Sequence, residues 1–137
     1  MSTPSDVQPE REVRRLHLML EDWYGGIRSD IDPITDALAS SFTWLAPDGT
    51  LADRDEALTR WSATRNEFVE TTPSPSVSVS SIDLRRTLFG IHQVTYHKEI
   101  RQGDAVTTRA CSLWLRETER VPSGLQWLHL AEVPVSD

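Results

Sequence analysis

The chain has 137 residues, a formal net charge of −7 and 38% hydrophobic residues, which is typical of one acidic globular domain. No apolar run approaches the roughly 20 residues of a membrane-spanning helix, and the negative charge disfavours a nucleic-acid partner. Cys111 is the single cysteine, which excludes an internal disulfide and a cysteine-based zinc site. The first residues lack a basic and apolar leader, so a cytoplasmic protein is expected.

Three helices are predicted in the first half of the chain. The polar residues 1–8 are expected to form a flexible tail, and a single domain is expected over residues 9–134. The first helix ends at Gly25-Gly26, because glycine accepts the left-handed conformation of a helix C-terminus. One face of this helix is apolar at spacings of three and four residues, at Val13, Leu16, Leu20, Trp23 and Ile27.

Two further helix starts enclose a strand. Asp32-Pro33 is typical of a first helical turn, and Asp53 followed by Glu56 is typical of a helix N-terminus. Between them, Phe42–Ala46 predicts a strand, which the turn Pro47-Asp48-Gly49 ends.

The second half of the chain predicts a meander of long strands. Four segments are rich in β-branched and aromatic residues and are separated by turn signals: 77–89, 91–101, 105–116 and 125–134. Their short links imply antiparallel neighbours, since parallel pairs need a long crossover. Helices followed by such a meander define the α+β class.

Apolar residues occupy both alternating positions in the last two predicted strands. In 105–116 the adjacent residues Leu113 and Trp114 are both apolar although they point to opposite faces of the sheet. The same is true of Trp127 and Leu128 in 125–134. A sheet with one solvated face would alternate cleanly between apolar and polar residues. We therefore expect helices on one face of the sheet and a second subunit on the other, which predicts a homodimer.

The order of these elements resembles the nuclear-transport-factor-2-like superfamily, in particular its SnoaL-like small bacterial members. The segments that carry the resemblance are Phe42–Gly49, before the third helix, and Leu125–Leu130 in the last strand. The resemblance implies a cystatin-like fold, in which a strongly curved antiparallel sheet forms a cone around the N-terminal helices. It also implies an apolar pocket inside the cone and dimers formed through the outer face of the sheet.

The chain departs from this family at two places. Leu51-Ala52-Asp53-Arg54 stands where members often carry Gly-Arg or Gly-Lys. Ala131 and Val133 stand where many members carry histidine near the pocket mouth.

The resemblance implies cofactor-free acid–base chemistry of the lyase or isomerase kind on a small organic ligand. The expected catalytic residues are His129, Tyr24 and Asp83. His129 lies two residues after Trp127, so regular alternation places both on one face, where a neutral imidazole could act as a base or pack in the core. Tyr24 could polarise a carbonyl through its hydroxyl, or pack at the helix end.

Six residues are expected to line the pocket: Trp23, Trp44, Trp61, His97, Arg109 and Trp114. A three-residue loop between the second and third strands of the meander would place His97 opposite Arg109, whereas a two- or four-residue loop would place them on opposite faces. Ordinary solvated positions in a half-exposed sheet are the alternative for this pair and for Asp83. His92 and His97 are five residues apart and cannot chelate one metal ion from a strand. The sequence also has no Gly-rich phosphate loop and no His-x-x-x-His or Cys-x-x-Cys pair, so neither a metal nor a cofactor is expected.

Two other functions remain open at this point. The missing histidines at positions 131 and 133 favour a non-catalytic binding or association module. A structural dimer whose cavity is filled by its own side chains is the third possibility.

Overall fold

The computed structural model describes residues 8–26, 30–69 and 75–135. Three helices and six strands follow one another along this part of the chain: α1 Pro9–Tyr24, α2 Asp32–Ala37, β1 Leu38–Leu45, β2 Leu51–Asp53, α3 Arg54–Val69, β3 Ser76–Leu88, β4 Ile91–Gln102, β5 Ala105–Glu117 and β6 Leu125–Pro134. The tail predicted over residues 1–8 lies almost wholly outside the described residues, as does Ile27 of the predicted apolar helix face.

The six strands form one curved sheet in the order β2-β1-β6-β5-β4-β3. The predicted antiparallel meander is confirmed, and its four strands match the predicted segments to within one residue at either end. One neighbouring pair, β1 with β6, is parallel. Strand β2 has three residues and was not predicted, and β1 begins four residues before the predicted strand.

The helices cover one face of this sheet, which we call the inner face; the opposite one is the outer face. Along β4 and β5 the buried side chains alternate, with Tyr96 and Lys98 on the inner face and His97 exposed on the outer face. Helix α1 packs here through the fully buried Leu16 and His17, and the His17 ring lies 5.8 Å from that of Trp127. The predicted α+β class is therefore confirmed.

Helix α3 begins with the reciprocal side-chain cap that its sequence predicts. Asp53 Oδ1 accepts a hydrogen bond from the Glu56 backbone N–H at 2.9 Å, and Glu56 Oε1 accepts one from the Asp53 N–H at 3.1 Å. Each bond satisfies a donor that the first turn of a helix leaves unpaired. This cap fixes where α3 leaves the sheet and thus where Trp61, about two turns further on, meets it.

A β-bulge interrupts β6. Leu115 pairs with Trp127, but Trp114 pairs with His129, so Leu128 is an extra residue on the β6 side. Leu125, Trp127 and Leu130 are consequently all buried, although their spacing is irregular. The mixed pattern in 125–134, from which a second covered face was inferred, therefore has a local cause in this strand.

Two further irregularities lie in β3, where the register with β4 shifts between Ser80 and Asp83 and again between Leu84 and Arg86. Ser81, inside the first shift, has a positive φ of 55°. The turn between β4 and β5 is regular: Gln102 pairs with Ala105 and encloses the two residues Gly103-Asp104. Among the helices described, none combines the length and apolarity that a bilayer crossing requires.

Candidate functional site

A cavity of about 250 Å³ lies between α1, α3 and the inner face of the sheet. Its aromatic walls are Tyr24 at the end of α1, Trp44 on β1 and Trp61 on α3. Three charged residues from the sheet, Lys98, Arg109 and Glu132, also line it, and the remaining lining residues are Pro47, Asp48, Arg60, Thr64 and Ile100. The cavity expected from the sequence was apolar, whereas this one combines aromatic walls with a charged floor.

Glu132 on β6 is the centre of the floor. Its side chain is 2% exposed, and Trp44 Nε1 donates a hydrogen bond to Oε1 at 2.8 Å. Lys98 Nζ donates to Oε2 at 3.1 Å, and Arg109 Nη1 reaches the same oxygen at 3.4 Å. Lys98 and Arg109 are paired across β4 and β5, so the sheet register itself brings both cations to one carboxylate.

The two cations determine the charge of Glu132. Burial alone would raise the pKa of this carboxyl, but Lys98 and Arg109 outweigh burial and lower the pKa to about 2. Glu132 is therefore ionised at neutral pH. Burial raises the pKa of the neighbouring Cys111 thiol to about 12, so this side chain stays protonated.

Tyr24 stays protonated as well. Its side chain is buried, and burial together with the negative charge of Glu132 raises the pKa of the phenol above its ordinary value. Tyr24, which lines the cavity, is therefore neutral, whereas Glu132 is ionised and lies against two cations.

The rim is built on the turn that the sequence predicts after β1. Asp48 of the Pro47-Asp48-Gly49 turn forms an ion pair of 3.0 Å with Arg60 on α3. The Arg60 guanidinium lies 4.9 Å from the ring centre of Trp44, and the Trp44 and Trp61 rings meet edge to face at 5.4 Å. The aromatic wall and the rim are therefore held by the same contacts.

Of the residues expected at the site from the sequence, four line this cavity: Tyr24, Trp44, Trp61 and Arg109. Trp23 does not join them. It is buried in the core, and the Arg65 guanidinium lies 4.3 Å from its ring centre.

His129 is not on the face of Trp127, so this part of the prediction is wrong. The extra residue Leu128 in the bulge turns His129 to the outer face, opposite Trp114. There the His129 ring nitrogen Nδ1 lies 2.7 Å from the hydroxyl of Thr43 on β1. Trp114, expected to line the pocket, is also on the outer face, because it alternates with the buried Leu113 and Leu115 in β5.

His97 and Arg109 lie on opposite faces, as the two-residue turn requires. His97 pairs with Ala110, one position from Arg109. His97 and Asp83 instead line a groove on the outer face, of about 520 Å³. The three expected catalytic residues are thus divided, with Tyr24 on the inner side and His129 and Asp83 on the outer side.

Two of the three floor residues, Lys98 and Glu132, were missed by the sequence reasoning. Counting alternate positions onward from Trp127 assigns Glu132 to the outer face, because the bulge is not visible in the sequence. Lys98 had a usable signal, since it shares the alternation of Val94, Tyr96 and Ile100 in β4. Within the described part of the chain, no group of His, Cys, Asp and Glu residues has the arrangement of a metal site.

No protein-family model matches this chain, and no curated protein matches its sequence. Solved structures do match. An NTF-2-like protein of unknown function from Pseudomonas aeruginosa is 19% identical with a TM-score of 0.80, over 93% of this chain and 98% of that one. The beta subunit of benzoate 1,2-dioxygenase from Burkholderia mallei is 13% identical with a TM-score of 0.68, over 98% and 93%.

A third similar structure is the CaMKII hub of S. rosetta, which is 14% identical with a TM-score of 0.65, over 94% of this chain and 98% of that one. Identities this low establish the fold and nothing finer. The chain has the nuclear-transport-factor-2-like fold, as its resemblance to that superfamily predicted.

Proposed function

We propose that this protein binds a small organic molecule in the inner cavity. The observation that carries the proposal is the ion cluster of the buried Glu132 and Lys98 with the partly buried Arg109, beside aromatic walls. A buried ion cluster adds little stability compared with apolar side chains of the same volume, so packing alone does not explain it. Groups of this kind in a concave site are typical of ligand binding.

The volume of the cavity limits the size of the ligand. A cavity of about 150 Å³ holds a benzene ring, so about 250 Å³ accommodates one ring with a short substituent. The edge-to-face rings of Trp44 and Trp61 offer flat apolar contact to such a body.

We further propose that any catalysis is cofactor-free acid–base chemistry, as in a lyase or isomerase, with Tyr24 as the residue nearest to that role. A protonated phenol can donate a hydrogen bond to a carbonyl or enolate oxygen. Glu132 is a poor proton acceptor, because a carboxylate with a pKa of about 2 holds a proton weakly. His129 and Asp83 remain predicted catalytic residues; Asp83 lines the outer groove, and His129 lies elsewhere on the same face.

The alternative function is a non-catalytic association module, with a second copy of this chain as the partner. Its support is the outer face of β5 and β6, where Trp114 is half-buried and Val133 is 54% exposed in the single chain. We also propose a homodimer through this face, membership of the SnoaL-like subgroup and a cytoplasmic location. Native mass spectrometry tests the dimer, which has twice the 15.5 kDa mass of the chain; a strict monomer contradicts it.

Blocking the cavity tests the binding proposal. Thr64 on α3 lines the cavity, and Thr59 on the same helix is exposed. We expect small molecules found by ligand-detected NMR to lose binding in Thr64→Trp and to keep it in the matched control Thr59→Trp. If no small molecule binds, or if binding survives Thr64→Trp in a folded protein, the inner cavity is not the ligand site.

A further inference from the structure

The charges that line the inner cavity do not balance. Its cations are Lys98, Arg109 and Arg60, and its carboxylates are Glu132 and Asp48, which leaves one positive charge in excess. Arg60 and Asp48 neutralise each other at the rim. The excess therefore belongs to the floor, where two cations face the one carboxylate of Glu132.

The floor also has more hydrogen-bond donors than acceptors. Glu132 Oε1 accepts from Trp44, and Glu132 Oε2 is shared by Lys98 and Arg109, the latter at 3.4 Å. An ammonium group carries three N–H donors and a guanidinium group five. Arg109 Nε is buried and has no hydrogen-bond partner among the described residues. The N–H donors of Lys98 and Arg109 thus exceed the acceptors that Glu132 supplies.

Both features select the same kind of ligand. One excess positive charge is neutralised by a monoanion, and the planar guanidinium of Arg109 matches a planar carboxylate. Trp44 and Trp61, which lie above the floor, fit an apolar body rather than a second charged group.

We propose that the cavity binds a small organic monocarboxylate, with its carboxylate at Lys98 and Arg109 and its ring against Trp44 and Trp61. This inference rests on the proposed binding function and names the ligand class for it. Phosphate esters fit less well, because a dianion would exceed the single positive charge that the floor leaves uncompensated.

Isothermal titration of the full chain with matched acids and amides tests the inference. The probes are phenylacetate and cyclohexanecarboxylate, each with its neutral primary amide. We expect at least one acid to bind about tenfold or more tightly than its amide, since charge-assisted hydrogen bonds form only with the acid. Added salt should weaken the binding of the acid and leave the binding of the amide nearly unchanged.

Arginine variants locate the carboxylate. Arg109→Gln should reduce the affinity for the acid by about tenfold or more and that for the amide much less, whereas Arg109→Lys should retain part of the preference. Arg101→Gln is the matched control, because Arg101 is an exposed residue of the same hairpin that pairs with Glu99. Thermal unfolding of each variant verifies that it is folded.

The outcomes separate the two proposals. Equal affinity for acids and amides, or an acid preference that Arg109→Gln leaves intact, overturns the carboxylate assignment while the binding function stands. The carboxylate assignment is also wrong, and the binding function again stands, if only neutral molecules bind and Thr64→Trp abolishes their binding. If neither the acids, the amides nor any screened molecule binds, both proposals are wrong.

Discussion

Two buried polar sites lie side by side on the inner face of β4 and differ in charge. Tyr96 meets His17 of α1, with its hydroxyl 3.4 Å from the ring nitrogen Nε2. Lys98, two residues further along the strand, meets Glu132 at 3.1 Å. Both sites are almost fully buried, yet the first is neutral and the second is ionised.

The difference follows from the nearest charges. Burial and the positive charge of Lys98 lower the pKa of His17 to about 3, so its ring is neutral at pH 7. Burial acts on Glu132 too, but two cations in contact with it outweigh that effect. Lys98 has a part in both results, since it disfavours charge on His17 and favours it on Glu132. Burial alone therefore does not predict whether a side chain in this core is charged.

Removing Glu132 should have the largest effect on stability. In Glu132→Ala, the ammonium of Lys98 is left buried without a counter-ion, and Trp44 Nε1 loses its acceptor. We expect the free energy of unfolding, measured with urea, to fall by about 3–5 kcal/mol. The double variant Lys98→Met with Glu132→Ala should lose clearly less than the sum of the single losses. Additive losses would mean that the two residues do not interact.

The pH dependence of stability should separate the two sites. The folded state holds a proton on His17 less readily than the unfolded state, whose pKa is near 6.5, so stability falls as pH drops from 6.5 towards 3. The stabilisation by ionised Glu132 is complete above 4.5 and is lost as pH falls from 4.5 towards 2. Of these two groups, only His17 changes the free energy of unfolding between pH 6.5 and 4.5, by about 1.4 kcal/mol per pH unit.

Histidine variants check this assignment by urea unfolding at several pH values. His17→Gln should flatten the slope between pH 6.5 and 4.5, because it removes the group whose protonation folding disfavours. His97→Gln is the matched control, since it replaces a histidine that is exposed on the outer face. An unchanged slope in His17→Gln would assign the pH dependence to other groups.

A smaller contrast is expected when each site loses one hydrogen-bonding group. Trp44→Phe removes a donor to a charged carboxylate and should cost about 1.5–3 kcal/mol of unfolding free energy. Tyr96→Phe removes a long contact to a neutral ring and should cost about 0.5–1.5 kcal/mol. Calorimetric or chemical unfolding measures both losses of unfolding free energy. A larger loss in Tyr96→Phe than in Trp44→Phe would contradict the assignment of charge to the two sites.

The sequence predicts the elements of this fold better than the faces of its strands. Turn residues between the strands of the meander bound them to within one residue, because a tight turn needs particular residue types. The same information predicted the rim turn and the cap of α3. Short β2 had no such signal, since three residues are too few to show a pattern.

The face of the sheet to which a side chain points is harder to predict, because a single extra residue in a strand reverses the face of every residue that follows. Alternation in β4 is unbroken, so Lys98 was accessible to sequence reasoning. In β6 the bulge at Leu128 exchanges the expected positions of His129 and Glu132, and no residue type in that strand announces a bulge. Trp44 and Trp61, both expected at a pocket, line the inner cavity.

The register shifts in β3 have a consequence for how copies of this protein meet in concentrated solution. Strand β3 is an edge of the sheet and, with 13 residues, is as long as any strand in the described chain. A straight edge of that length is a template on which a foreign strand can grow towards an aggregate. The two register shifts interrupt the regular hydrogen-bonding pattern of this edge strand. The second shift also places the charged residues Arg85 and Arg86 on it. At the other edge, β2 is only three residues long, so neither margin of the sheet offers a long template for aggregation.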